Sequence, residues 1–239
     1  MRKLSGSALK KSRRAQIIVA LDVDTIREAK FFIDRLYPRI KIFKVGSHLF
    51  TAYGPEIIAL LHKKGAQVFL DLKYFDIPNT VAKAVSAAVR HRVKMLTLHI
   101  AGGREMLDYA VAAAKRQARI LKVPRPLLVG VTVLTSSYAG EDEVLAAART
   151  GIACGLDGVV CSVAEAGMLR RRIKKDFVMV TPGIRPDNSA RDDQKRVASV
   201  SQAVKAGSDF LVIGRPILKA ADPLRRAEEL IGELHGARN

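Results

Sequence analysis

Charged residues of alternating sign recur at short spacing in the first third of the chain: Lys44 interrupts an apolar run, and Asp71, Lys73 and Asp76 follow as D-x-K-x-x-D. Asp71 and Lys73 share a face if they sit on a strand, because strand side chains alternate with period two. Gathering such groups is costly. Two opposite charges about 4 Å apart attract by roughly 4 kcal/mol at an effective dielectric near 20, comparable to the several kcal/mol each loses on leaving water. The cluster therefore reads either as a structural ion network or as a site whose amines and carboxylates are tuned for chemistry. A second feature lies near the C-terminus, in Thr181-Pro182-Gly183-Ile184-Arg185-Pro186 and Gly214-Arg215-Pro216-Ile217. Glycine lets backbone N–H groups approach phosphate oxygens, a helix N-terminus adds partial positive charge, and an arginine fork can clasp two oxygens. Either segment alone also reads as a Pro/Gly turn with a surface arginine. The two together point to a bound phosphate.

The elements that must position these residues are short runs rich in Val, Ile and Leu, each followed by a longer segment with helical spacing, as expected of parallel strands crossed by helices. Eight runs stand at 17–23, 40–46, 67–72, 95–100, 127–133, 158–161, 177–181 and 210–213. Eight strands in one domain of this length predict a closed (β/α)8 barrel, a TIM barrel, over 15–239, preceded by a basic tail at 1–14. Helix punctuation agrees: Thr25 and Glu28 have capping-box spacing, Pro55 and Gly65 bracket a helix, and Pro223 opens the last one. The open doubly wound sheet lacks its Gly-rich turn, since the first strand runs straight into Asp24 and Thr25. Barrel enzymes build their sites at the C-terminal strand ends. Asp22 would end strand one, Lys44 strand two, and Asp71 and Lys73 strand three, while the two Gly/Arg segments follow strands seven and eight. With Asp76 in the turn that follows, the four charges Lys44, Asp71, Lys73 and Asp76 would converge with the phosphate loops on one mouth, which favours a site over a structural network. His99 on the fourth run reads as a structural barrel residue.

Composition narrows the class further. No apolar run approaches the roughly 20 residues of a membrane helix, and the opening residues lack a secretory leader's apolar stretch, so a soluble cytoplasmic protein is expected. Cys154 and Cys161 match neither a redox pair nor a zinc cluster, and the five histidines include no i, i+4 pair, so buried reduced thiols and no metal are expected. The 41 Lys+Arg against 23 Asp+Glu give a formal charge of +18, which attracts polyanions. The excess clusters in the opening tail and at Arg170, Arg171, Arg172, Lys174 and Lys175, where solvated surface is the ordinary reading. Neither cluster carries the interleaved aromatics of a single-strand binder, so specific nucleic-acid binding is not expected. A transit function for the tail is a further reading of its charge.

The segment Asp71-Leu72-Lys73-Tyr74-Phe75-Asp76-Ile77-Pro78-Asn79-Thr80 resembles the signature of the orotidine 5′-phosphate decarboxylase family. Leu21-Asp22, Phe43-Lys44-Val45-Gly46, Gly130-Val131-Thr132-Val133-Leu134-Thr135-Ser136, the Pro-Gly-Ile-Arg-Pro loop reaching Gln194, and Gly214-Arg215-Pro216 extend the likeness along all but the basic tail. The resemblance implies decarboxylation of orotidine 5′-monophosphate to UMP without a cofactor. Lys73 would stabilise and protonate the C6 carbanion, Asp71 would lie near the departing carboxylate, and Lys44 and Asp76 would hold the array. It further implies that Asp22 and Lys44 bond the ribose hydroxyls, that Thr135 and Ser136 approach the pyrimidine, and that Arg185, Gly214 and Arg215 bind the phosphate with Gln194 helping the loop close. A homodimer follows, with Asp76 and Thr80 acting across the interface, although Asn79 and Thr80 could also simply start a helix. The rival enzymes are related magnesium-dependent barrels that share D-x-K-x-x-D and act on sugar phosphates; Ile77-Pro78-Asn79-Thr80 and Leu134-Thr135-Ser136 favour the nucleotide. The rival class is a nucleic-acid-binding protein, whose affinity would fall steeply with salt.

Overall fold

The structure, a computed structural model, describes residues 15–133, 140–185 and 198–237. Eight parallel strands close in sequence order: β1 (Gln16–Ala20), β2 (Ile42–Gly46), β3 (Gln67–Tyr74), β4 (Met95–His99), β5 (Leu127–Val131), β6 (Gly158–Val160), β7 (Val178–Thr181) and β8 (Phe210–Ile213), with β8 pairing back to β1. This is the expected (β/α)8 barrel. Each strand lies within or overlaps its expected run; β1 stops at Ala20, leaving Asp22 just beyond it, and β3 continues to Tyr74. The tail at 1–14 lies outside the described residues.

Alternation within each strand sorts the side chains into two cores. Ile18 and Ala20, Ile42, Phe69, Met95, Val129, Val178 and Val180, and Phe210 and Val212 point inward and fill the barrel as one cluster. Their neighbours Val19, Phe43, Val45, Leu70, Leu96, Leu98 and Leu211 point outward against the helices. A fully buried side chain of this kind contributes about 1.5–3 kcal/mol. The interior is therefore a packed plug, and the next inward position above it on each strand is where a polar residue can reach a cavity. On β1 to β4 those positions are Asp22, Lys44, Asp71 and Thr97, and the first three line a cavity while Thr97 is fully buried.

The helices begin where local chemistry starts them. Thr25 and Glu28 form both bonds of a capping box at the head of Ile26–Leu36. Gly65, in the left-handed region at φ 86, closes Glu56–Lys64, and the Asp222 carboxylate caps Pro223–Gly236. The helix Pro78–Arg90 opens on Pro78 with Ile77 as its N-cap, so Asn79 and Thr80 sit in its first turn and do not start it. Proline is pre-set for that first position and gives up a donor that would be unpaired there.

The opposite, N-terminal rim carries two partly buried ion pairs between neighbouring strand ends. Arg125 grips Asp157 with two bonds of 2.8 and 2.6 Å, and Arg170 bonds Asp209 and the carbonyls of Phe177 and Gly207 while stacking on the Phe177 ring at 4.7 Å. Arg170 is thus a structural brace, unlike the solvated cation its cluster suggests, whereas Arg171, Arg172 and Lys174 are exposed. Several helices also end in basic residues here, among them Lys63, Lys64, Arg90, Arg119 and Lys205, where cations complement the helix dipole. Cys154 and Cys161 are buried free thiols, and burial pushes the Cys161 thiol up. Among the described residues no helix is long and apolar enough to cross a membrane.

Candidate active site

A cavity of about 530 Å³ opens at the C-terminal end of the strands, walled by Asp22, Lys44, Asp71 and Lys73 from the ends of β1 to β3 and by Gly183, Arg185, Gly214 and Arg215 following β7 and β8. Val160, Val180 and Val212, the upper rungs of the interior plug, line its floor together with Val131. An apolar floor between a charged wall and a glycine–arginine wall suits a planar ring carrying an anionic arm.

The charged wall centres on Asp71. Its Oδ2 lies 3.0 Å from Lys73 Nζ and 3.6 Å from Lys44 Nζ, and Lys44 Nζ also reaches Asp22 Oδ1 at 3.2 Å. Its Oδ1 accepts a 2.9 Å bond from the Thr97 hydroxyl. Burial by itself would raise the Asp71 pKa, but the Lys44 and Lys73 cations, together with the hydrogen bonds from Lys73 and Thr97, outweigh it and hold the carboxyl below its usual value. A carboxylate so held contributes stability above the ordinary carboxylate range and loses that contribution as pH falls through its folded pKa. At neutral pH Asp71→Asn should therefore cost about 3 kcal/mol of stability. In denaturant titrations that gap should close as the pH drops below about 4. A gap that persisted in acid would show that cations do not hold the carboxylate.

Asp71 and Lys73 meet through an interruption in the sheet rather than a regular ladder. Leu70 pairs with Leu96 and Tyr74 with Leu98, so Asp71, Leu72 and Lys73 lie opposite Thr97 alone. The excess is two residues, which preserves the inside–outside alternation on both sides of the bulge. Lys73 absorbs the turn with φ 49, a left-handed conformation uncommon for a side chain other than glycine, and its N–H donates to Thr97 Oγ1 at 2.8 Å.

On the other wall, Gly183 at φ 78 turns the chain after β7, and the pair Arg185 N–H to Ala198 carbonyl (2.9 Å) and Ala198 N–H to Gly183 carbonyl (3.2 Å) ties the two ends of the following loop together. Arg185 is buried and Arg215 half-buried at the cavity edge. A Cβ on Gly214 would stand 3.2 Å from Asp22 Oδ2 and 3.4 Å from Ala20 Cβ, so a side chain here would press on the Asp22 carboxylate, which would have to give by a few tenths of an ångström.

Not every expected site residue joins the cavity. Asp76 is exposed, its Oδ1 accepting from the Ile77 N–H at 2.6 Å, and Thr80 is exposed one turn into its helix; neither lines the cavity of its own chain. Three of the four charges therefore converge within one chain. Thr135, Ser136 and Gln194 lie outside the described residues. His99 ends β4 beside the Phe75 ring, with centroids 5.6 Å apart; desolvation and then the Lys73 cation lower its pKa against the pull of Asp71. Sequence reasoning missed Thr97 and Lys219, the latter at the cavity rim. Thr97 had a signal, as the one hydroxyl in the apolar run Met95-Leu96-Thr97-Leu98 on an inward position.

The family model described as "Orotidine 5'-phosphate decarboxylase / HUMPS family" matches residues 15–230. A protein of Pelobacter propionicus named orotidine 5′-phosphate decarboxylase is 46% identical over 232 residues, 92% of this chain and 95% of that one. A Vibrio cholerae protein of the same name is 44% identical over 230 residues, 92% of this chain and 98% of its own. Among solved structures, orotidine 5′-phosphate decarboxylase from Lactobacillus acidophilus superposes with a TM-score of 0.79 at 33% identity, covering 92% of this chain and 99% of that one. An uncharacterized conserved protein from Geobacillus kaustophilus gives 0.80 at 33%, covering 91% and 99%. With this match spanning the whole barrel and both walls of the cavity, the chain belongs to the orotidine 5′-phosphate decarboxylase / HUMPS family.

Proposed function

We propose that the protein decarboxylates orotidine 5′-monophosphate to UMP without a cofactor, as the last step of pyrimidine nucleotide synthesis in the cytoplasm. The observation that carries this reading is the Lys73 ammonium, braced 3.0 Å from Asp71, across an apolar-floored cavity from two glycine–arginine loops. Relatives at 44–46% identity bear the decarboxylase name.

The chemistry follows from the substrate. When the C6–carboxylate bond breaks, its electron pair stays in the ring plane, where the pyrimidine π system cannot take it up. A cation fixed beside that carbon before reaction lowers the barrier without reorganising. Lys73 fills that position, stabilises the developing carbanion and gives it a proton; CO₂ leaves, and the neutral amine regains its proton from solvent. Asp71 holds the ammonium in place and stands near the departing carboxylate. Lys44, between Asp71 and Asp22, orients both and with Asp22 bonds the ribose hydroxyls. Arg185, Gly214 and Arg215 take the phosphate, Gln194 helps close the loop over it, and Thr135 and Ser136 approach the pyrimidine. Phosphate binding energy is thereby used to organise the site and exclude water.

Two further parts complete the reading. The protein acts as a homodimer in which Asp76 and Thr80 of one chain complete the site of the other. Exposure of the Asp76 carboxylate between Phe75 (62% exposed) and Ile77 (66% exposed) supports a covering partner there. The rival magnesium-dependent barrels that share D-x-K-x-x-D would need carboxylates free to face the metal. Here Asp22 and Asp71 both face the Lys44 ammonium, which favours the nucleotide reading.

Purified, desalted protein should consume orotidylate absorbance with one UMP formed per substrate lost, unchanged by EDTA. Turnover that vanished with EDTA and returned with magnesium would move the assignment to the sugar-phosphate branch. Absence of orotidylate turnover would end it.

A further inference from the structure

We infer that Thr97 is a positioning residue for the proton-donating array, its one hydroxyl fixing the Lys73 backbone and the Asp71 carboxylate relative to each other. This rests on the decarboxylase reading of the site. Thr97 is fully buried at 0% exposure, on the inward position of β4 directly above Met95 of the interior plug. A threonine hydroxyl has one proton to give and lone pairs to receive. Thr97 uses both capacities on the catalytic wall, donating to Asp71 Oδ1 at 2.9 Å and accepting the Lys73 N–H at 2.8 Å.

The sheet interruption explains why such a link is needed. Asp71 to Lys73 bulge away from β4, so the Lys73 N–H has lost a ladder partner, and Lys73 sits at φ 49, which surroundings must hold. The Thr97 hydroxyl substitutes for the missing ladder bond and thereby fixes where the lysine side chain begins. Its second bond orients the carboxylate so that Oδ1 faces β4 and Oδ2 faces the two ammonium groups. Without it, the Asp71 side chain can rotate and its distance to Lys73 is no longer set. Valine has the same shape and offers neither bond; serine keeps both.

The test uses the full-length enzyme with Thr97→Val and Thr97→Ser. Thr97→Val should lower kcat for orotidylate roughly 10- to 100-fold, the scale of misplacing a reacting group by a fraction of an ångström to an ångström. UMP affinity should stay within about threefold, because Thr97 is fully buried and does not line the cavity. A UMP analogue with an anionic oxygen at C6 should lose affinity in step with kcat. The groups facing Asp71 are Lys44 from β2, Lys73 from β3 and His99 from β4, with Asp22 acting through Lys44. Losing the Thr97 donor weakens the charged form of Asp71, so the acid limb of kcat should move to higher pH. Thr97→Ser should recover most of kcat and the wild-type pH profile. A valine variant with wild-type kcat, or a serine variant as impaired as valine, overturns the inference. If valine prevents folding, Thr97→Cys against Thr97→Ser isolates the hydroxyl, and equal rates for the two reject it. Failure of the wild-type protein to turn over orotidylate would instead sink the functional reading.

Discussion

Lys73→Ala should abolish decarboxylation while leaving a folded protein that still binds UMP. Loss of a general acid costs about 10²- to 10⁴-fold and loss of a preorganised charge about 10²- to 10³-fold, so turnover should fall by roughly four orders of magnitude or more. The affinity for UMP, which carries no carboxylate and develops no charge at C6, should change by less than about tenfold. The structure supplies the controls. Removing the ammonium leaves Asp71 paired with Lys44 at 3.6 Å and bonded to Thr97, so no buried charge is stranded. The backbone N–H of residue 73 keeps its Thr97 partner, and alanine at φ 49 is no worse than lysine. An inactive variant with wild-type melting behaviour and UMP affinity then reports on chemistry alone. Retained turnover would remove Lys73 from its assigned role, and a parallel collapse of UMP affinity would make it a binding residue instead.

Much of the scaffold was legible because the strands of a closed parallel barrel are buried on both faces and write themselves as continuous Val, Ile and Leu runs. The alternation that sends Ile42 inward also sends Lys44 inward, and Phe69 does the same for Asp71, so strand placement carried site placement with it. What escaped were contacts that alternation cannot express. The bulge opposite Thr97 has no composition of its own, since Leu72 and Lys73 are unexceptional strand residues and the left-handed φ falls on a lysine where a glycine would have been the cue. Thr97 itself hides because threonine is an ordinary strand residue. Arg170 was masked by its company: three consecutive arginines read as one solvated cluster, whereas the helix rotates the first onto Phe177 and Asp209 and leaves the next two in water. The same capping-box spacing that announced the first helix also stands at Ser162–Glu165 and Ser199–Gln202, where both bonds form.

The Asp76 carboxylate lies outside its own chain's cavity, a placement that strand alternation within one chain does not reveal. Asp76→Ala should reduce turnover nearly as far as Lys73→Ala, although the two positions lie on opposite sides of the subunit boundary in the proposed dimer. Each homodimer of either variant contains two defective sites. Mixing the variants and letting subunits exchange produces hybrids in which one site combines intact Lys73 with intact Asp76, while the other carries both lesions. At equal amounts and free exchange, half the dimers are hybrids with one whole site each, so activity should recover to about a quarter of wild type from two nearly inactive preparations. No arrangement that keeps Asp76 within its own chain's site can give this result, since every site would then carry one lesion whatever the pairing. Recovery should also depend on exchange time and total concentration, as subunit association requires. Activity that stayed at the level of the separate variants, under conditions where labelled subunits demonstrably exchange, would place Asp76 back within its own chain.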